Sequence, residues 1–216
     1  TVLTIEPGIT IDTDPTQNWG VLMSILVDSG CSLINKGTIT ANRPGSTLVL
    51  AGAGQLSNLG DIVVGPNSTL KVNIAGTNEG TIRADQARLE IGGLNTNSGL
   101  IHLSASSFYG VYQTTPMANL GTLALDSGSV FEMSWEALPN EGQILADAST
   151  LTIRSLITTV GTLALNNSSC VLESHYASIG SIVRSGGTLT LRGFFEGTEL
   201  LATSATGDII LDQLNL

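Results

Sequence analysis

Apolar residues recur along this chain in short alternating pairs. Counted from a series of glycines, the residue two places on is Ile39, Ile62, Ile82, Ile101, Leu123, Ile144, Leu163, Ile182 or Ile209. Four places on stands Ala41, Val64, Ala84, Leu103, Leu125, Ala146, Leu165 or Leu211, with Arg184 as the exception. Period-two alternation marks a strand with one buried face. A second apolar pair follows: Leu48/Leu50, Leu70/Val72, Leu89/Ile91, Phe131/Met133, Leu151/Ile153, Cys170/Leu172 and Leu189/Leu191. A third apolar position, Leu33, Leu56, Met117, Leu138, Ile157 or Tyr176, lies four places before a glycine. No segment has the helical period.

The glycines belong to a repeated unit, Asn-x-Gly-x-(Ile/Leu), seen in Asn35-Lys36-Gly37-Thr38-Ile39 and again from Asn58, Asn78, Asn97, Asn119 and Asn140. An earlier copy starts at Asn18, and later copies around Gly161, Gly180 and Gly207 lack the Asn. From Gly37 to Gly180 the intervals are 23, 20, 19, 22, 21, 19 and 19 residues, a base period of 19. The last interval, to Gly207, is 27, read as an insertion over residues 192–206. A unit this short cannot bury its own apolar face, but stacked units join their faces into one core. The predicted fold is all-β, a parallel β-helix or β-solenoid, in one domain over residues 1–216. Residues 1–17 are assigned to an N-terminal strand or cap. About nine to ten coils, each rising roughly 4.8 Å, would make a rod about 45 Å long. A leucine-rich horseshoe also carries Asn, but after its strand; here Asn comes before it.

Stacking dictates what the special residues do. Asn18, Asn35, Asn58, Asn78, Asn97, Asn119 and Asn140 fall in one column, where each side-chain amide can donate to the carbonyl of the next coil. The Gly two places on serves a positive φ or a close backbone approach. Five places after Gly come Asn42, Asp85, Asp126, Asp147, Asn166 and Ser185, a column suited to Asx turns. Asp126 and Asp147, on neighbouring coils, also have the oxygen chemistry of a calcium site, although the Gly-Gly-x-Gly-x-Asp repeat of calcium-loaded rolls is missing.

Composition narrows the function classes. Aromatics are 4%, so the core is aliphatic. The net charge of −10 argues against nucleic acid, which needs clustered Lys and Arg, and against anionic membrane surfaces. No run is long enough for a membrane span, so no membrane insertion is expected. With no basic-then-apolar N-terminus, the chain reads as a mature chain or an excised fragment. Cys31 and Cys170 lie about seven coils apart, on the order of 34 Å, too far for a disulfide. His102 and His175 lack metal-ligand spacing, and His102 is expected to face solvent. Nucleophile-elbow, phosphate-loop and zinc-protease motifs are absent from the sequence, and neither a cofactor nor a catalytic set is expected.

Two groups are candidate partner surfaces. One is the outward row three places after Gly: Val63, Ala124, Leu145, Ala164, Val183 and Ile210, more apolar than a solvated face should be. The other is the aromatic group Phe108, Tyr109, Tyr112 and Trp135, with sugar stacking set against local packing.

The Asn-x-Gly-x-Ile unit followed by a strand such as Ser46–Leu50 resembles large secreted bacterial β-solenoids, among them autotransporter passengers and filamentous-haemagglutinin-like adhesins. The resemblance spans roughly Asn18 to Leu211 and concerns scaffold, not a site. It implies a right-handed parallel β-helix and an extracellular or cell-surface location. The expected function is a structural or adhesive segment of a bacterial surface or secreted protein. Its expected partners are further coils of a parent protein, a second copy joined end to end, or a glycan or other cell-surface ligand. The alternative is a carbohydrate-active lyase or hydrolase with groups drawn from different coils.

Overall fold

The computed structural model describes residues 1–12, 22–110, 116–133, 137–154, 156–159, 161–178, 180–195 and 202–215. It is all-β, a parallel β-solenoid whose regular winding makes about 7 turns with a period near 20 residues. Further coils stack at both ends, through Ile11 on Ile39 and Ala202 on Ile182.

Each coil contributes to three faces. The first is built from Thr38–Ala41, Asp61–Val64, Thr81–Asp85, Leu100–Ser104, Thr122–Asp126, Gln143–Asp147 and Thr162–Asn166, and continues into Ser181–Phe195. Its register places Ile39, Ile62, Ile82, Ile101, Leu123, Ile144, Leu163 and Ile182 in one column, none more than 4% exposed. On the second face Leu48, Leu70 and Leu89 form a buried column that resumes at Phe131, Leu151, Cys170 and Leu189. Leu33, Leu56, Met117 and Leu138 are buried on the third face. A fully buried aliphatic side chain contributes about 1.5–3 kcal/mol, so these columns are the main source of stability.

The asparagine ladder forms as expected from Asn35 to Asn140. Asn35 Nδ2 donates to Asn58 Oδ1, Asn58 to Asn78 and Asn78 to Asn97, each at 2.7 Å. Asn97 then donates to Asn119 at 2.8 Å, and Asn119 to Asn140 at 2.6 Å. Each of these amides also donates to a backbone carbonyl of the following strand, for example Asn78 to Leu100 O at 3.2 Å. All six asparagines are at most 1% exposed, where unpaired amides would be costly. The glycine column beside them exists for close approach: a Cβ on Gly80, Gly99, Gly121, Gly142 or Gly161 would collide with the carbonyl of the glycine one coil earlier.

A second polar ladder was not anticipated. Between the first two faces the chain turns through a residue in the left-handed region: Gln86 (φ 50°), Ala105 (φ 47°), Ser127 (φ 55°), Ala148 (φ 47°) or Asn167 (φ 45°). For a non-glycine residue this costs roughly 1–2 kcal/mol. The stack offsets it, since Gln86, Ala148 and Asn167 each donate their N–H to the next coil at 2.8–2.9 Å. The next residue, or the next but one after Ser127, is a buried serine in several coils. Ser106, Ser129, Ser149 and Ser168 donate Oγ–H to a carbonyl two or three residues earlier at 2.7–2.8 Å. Ser106, Ser129 and Ser168 also accept from the backbone N–H one coil earlier at 3.0–3.1 Å.

Both ends depart from the expected register. Ile5, not Asn18, pairs with Asn35, because the first coil is long: Leu3 pairs with Leu33 and Ile11 with Ile39. Asn18 itself lies outside the described residues. At the other end Gly207 stacks on Gly187, not on Gly180. Ile209 and Leu211 pair with Leu189 and Leu191 on the second face, and Ile182 pairs with Ala202. Pairing resumes with Ala202 against Ile182, an advance of 20 residues, and residues 196–201 of the expected insertion lie outside the described residues. Arg184 takes the inward place after Leu165 and is 5% exposed; Nη1 donates to the Asp208 carbonyl at 2.9 Å, while its buried Nε has no partner.

Candidate functional site

Among the described residues, whose interior is committed to packing and ladders, chemistry facing a partner comes from the outward columns. On the first face the middle outward column runs Thr40, Val63, Arg83, His102, Ala124, Leu145, Ala164 and Val183. Four of the six residues expected there come together: Ala124, Leu145, Ala164 and Val183 occupy successive coils and line a shallow depression of about 450 Å³. Val63 is cut off from them by Arg83 and His102. Ile210 belongs to the second face, in register with Thr190, because of the shifted register of the last coil.

Polar residues flank the strip. Asp126, Asp147, Asn166 and Ser185 line one side, and Thr122, Gln143, Thr162 and Ser181 share a column on the other. Asp147 Oδ1 accepts from Asn166 Nδ2 at 2.6 Å. His102, expected to be simply solvated, is only 24% exposed and sets Nε2 2.8 Å from Asp126 Oδ2. Partial burial works to raise the Asp126 pKa, but hydrogen bonds from Ser104, His102 and Ser127 hold it below the usual carboxylate range. No group of three His, Cys, Asp or Glu converges among the described residues.

The second face carries charge. Glu90 accepts from Lys71 at 2.9 Å and Arg88 at 2.6 Å. Arg154 pairs with Glu132 and, at 3.4 Å, with Glu173, and Arg192 pairs with Asp212 at 2.8 Å. Most of these groups are well exposed, where such pairs contribute at most about 1 kcal/mol each. Glu90, at 13%, is the most enclosed; burial opposes its charge, yet its two cationic partners hold the carboxyl below the usual range.

Tyr112 and Trp135 lie outside the described residues. The backbone registers Phe108 with the buried Leu89 and Phe131, and Tyr109 with Glu90 and Glu132. Cys31 and Cys170 are both free thiols, and complete burial pushes the Cys170 pKa far up.

Sequence reading missed the serine ladder and the His102–Asp126 link. The first had a signal, a Ser directly before the second strand in Ser46, Ser68, Ser106, Ser129, Ser149 and Ser168. The second had none, because it joins positions 24 residues apart on a diagonal between coils. No family model, no curated protein and no solved structure matches the chain.

Proposed function

We propose that the chain is a structural and adhesive β-solenoid segment of a bacterial cell-surface or secreted protein, able to join further coils end to end. The observation behind this reading is that core columns run out to edges that no described residue covers. Leu211 registers with buried Leu191 yet is 59% exposed, and Leu3 registers with buried Leu33 yet is 56% exposed. An edge strand with open donors, acceptors and apolar side chains is a template for pairing. A coil added there continues the backbone pairing and the core, whichever polypeptide supplies it. The resemblance of the repeat to secreted solenoids supports the surface location, which labelling of intact cells with an antibody to the chain would test.

Sedimentation velocity over a wide concentration range tests the joining. Elongated species that grow with concentration, and that shrink in a Leu211→Lys variant, are expected. A monomer at every concentration would overturn end-to-end joining.

A further inference from the structure

The apolar strip on the first face is an outward feature that the fold does not use internally. We propose that Ala124, Leu145, Ala164 and Val183 form the docking site for an amphipathic α-helix of a partner polypeptide. The helix lies along the solenoid axis with Lys or Arg on the edge facing Asp126 and Asp147.

Spacing selects the helix. Successive coils present their side chains about 4.7–4.9 Å apart. An α-helix repeats its apolar stripe every 5.4 Å, with rises of about 4.5 Å for three residues and 6 Å for four, so it stays in step across four coils to within about 2 Å. An extended strand laid along the axis repeats a face every ~6.7 Å, so it drifts by about 4 Å at the third coil and about 6 Å at the fourth. The strip also alternates in size. Ala124 and Ala164 are small, Leu145 and Val183 are larger, and all line one depression, so helix side chains can seat between the larger residues.

Charge selects the edge. No Lys or Arg lines the depression, while Asp126 and Asp147 do. Asp147 takes the neutral amide of Asn166, which leaves its charge uncompensated by that bond. The net charge of −10 draws a basic partner from a distance as well. The site is lateral and does not depend on the open edges, so sedimentation and the following experiment fail separately.

The test is fluorescence anisotropy with a labelled helical peptide of about five turns, carrying Leu along one stripe and Lys on one flank. The control peptide replaces each Lys by Glu. The Lys peptide is expected to bind at least about tenfold more tightly than the Glu peptide, and to weaken with added salt. Leu145→Glu is expected to weaken it by about tenfold or more, whereas Thr150→Glu, on the second face, should have no effect. Asp147→Lys, on an exposed residue, should shift the preference toward the Glu peptide and does not depend on how Leu145 variants fold. Absence of binding by the Lys peptide, equal binding of both peptides, or binding indifferent to both Leu145→Glu and Asp147→Lys would overturn the proposal.

Discussion

Asn140 and Thr159 occupy the same register position on adjacent coils, and the amide ladder stops between them. Asn140 accepts from Asn119, but its own Nδ2 is buried without a partner. At the other end Asn35 Oδ1 is likewise unpaired, facing the coil in which Ile5 replaces an asparagine. The ladder is thus a directional chain of amides with one orphan group at each end.

Thr159→Asn should extend it. The new side chain would offer an acceptor to Asn140 Nδ2 while its own Nδ2 becomes the new end of the chain, so the net gain should stay below about 1 kcal/mol. Urea denaturation would show it as a higher midpoint at unchanged slope. A lower midpoint would mean that the corner after Asn140 no longer has the ladder geometry.

Arg184→Leu should also stabilise. The guanidinium sits in an inward column after Leu165 with Nε unpaired. Replacing a poorly compensated buried charge by an aliphatic side chain gains about 1–3 kcal/mol. Denaturant titration of the two proteins decides it, and a loss of stability would show that the cation is compensated.

The acid limb of the stability profile should depend on Glu90. Its carboxyl is held below the usual range in the folded chain by Lys71 and Arg88, against the effect of burial. As pH falls, the unfolded chain takes up this proton first, near about pH 4.3. The stabilisation is therefore fully present above that pH and is lost as pH drops through the folded pKa. Glu90→Gln should flatten this part of the curve, by less than about 1 kcal/mol because the pairs are partly solvated. Thermal melts of both proteins between neutral pH and pH 3 would check it, and parallel curves would contradict it.

What could be read in the sequence was whatever repeats with a fixed neighbour. Asn35, Asn58, Asn78, Asn97, Asn119 and Asn140 carry the ladder because each precedes its glycine by two, and stacking makes that one position in space. Asn18 matches the motif but lies outside the described residues, and Ile5 holds the register position over Asn35. Gly207 has an apolar residue two places on, as Gly187 and Gly180 both do, and only pairing distinguishes which it stacks on. The same error misplaced Ile209, Ile210 and Leu211. The strip from Ala124 to Val183 was legible because outward alternation needs no knowledge of contacts. Its interruption at His102, locked to Asp126, was not, because that bond runs diagonally between coils.

The most direct test of the stacked register is a pair of substitutions one residue apart. Leu163 lies between Ile144 and Ile182 in the core column and is 4% exposed, whereas Thr162 lies in the outward column between Gln143 and Ser181. Leu163→Asp buries a carboxylate among aliphatic side chains and should cost about 3 kcal/mol or more. Thr162→Asp should cost below ~1 kcal/mol. Coils are coupled to their neighbours, so hydrogen exchange in Leu163→Asp should also rise in the strands Gln143–Asp147 and Ser181–Phe195. Equal urea midpoints for the two variants would contradict the register, and with it every inward and outward position described for this solenoid.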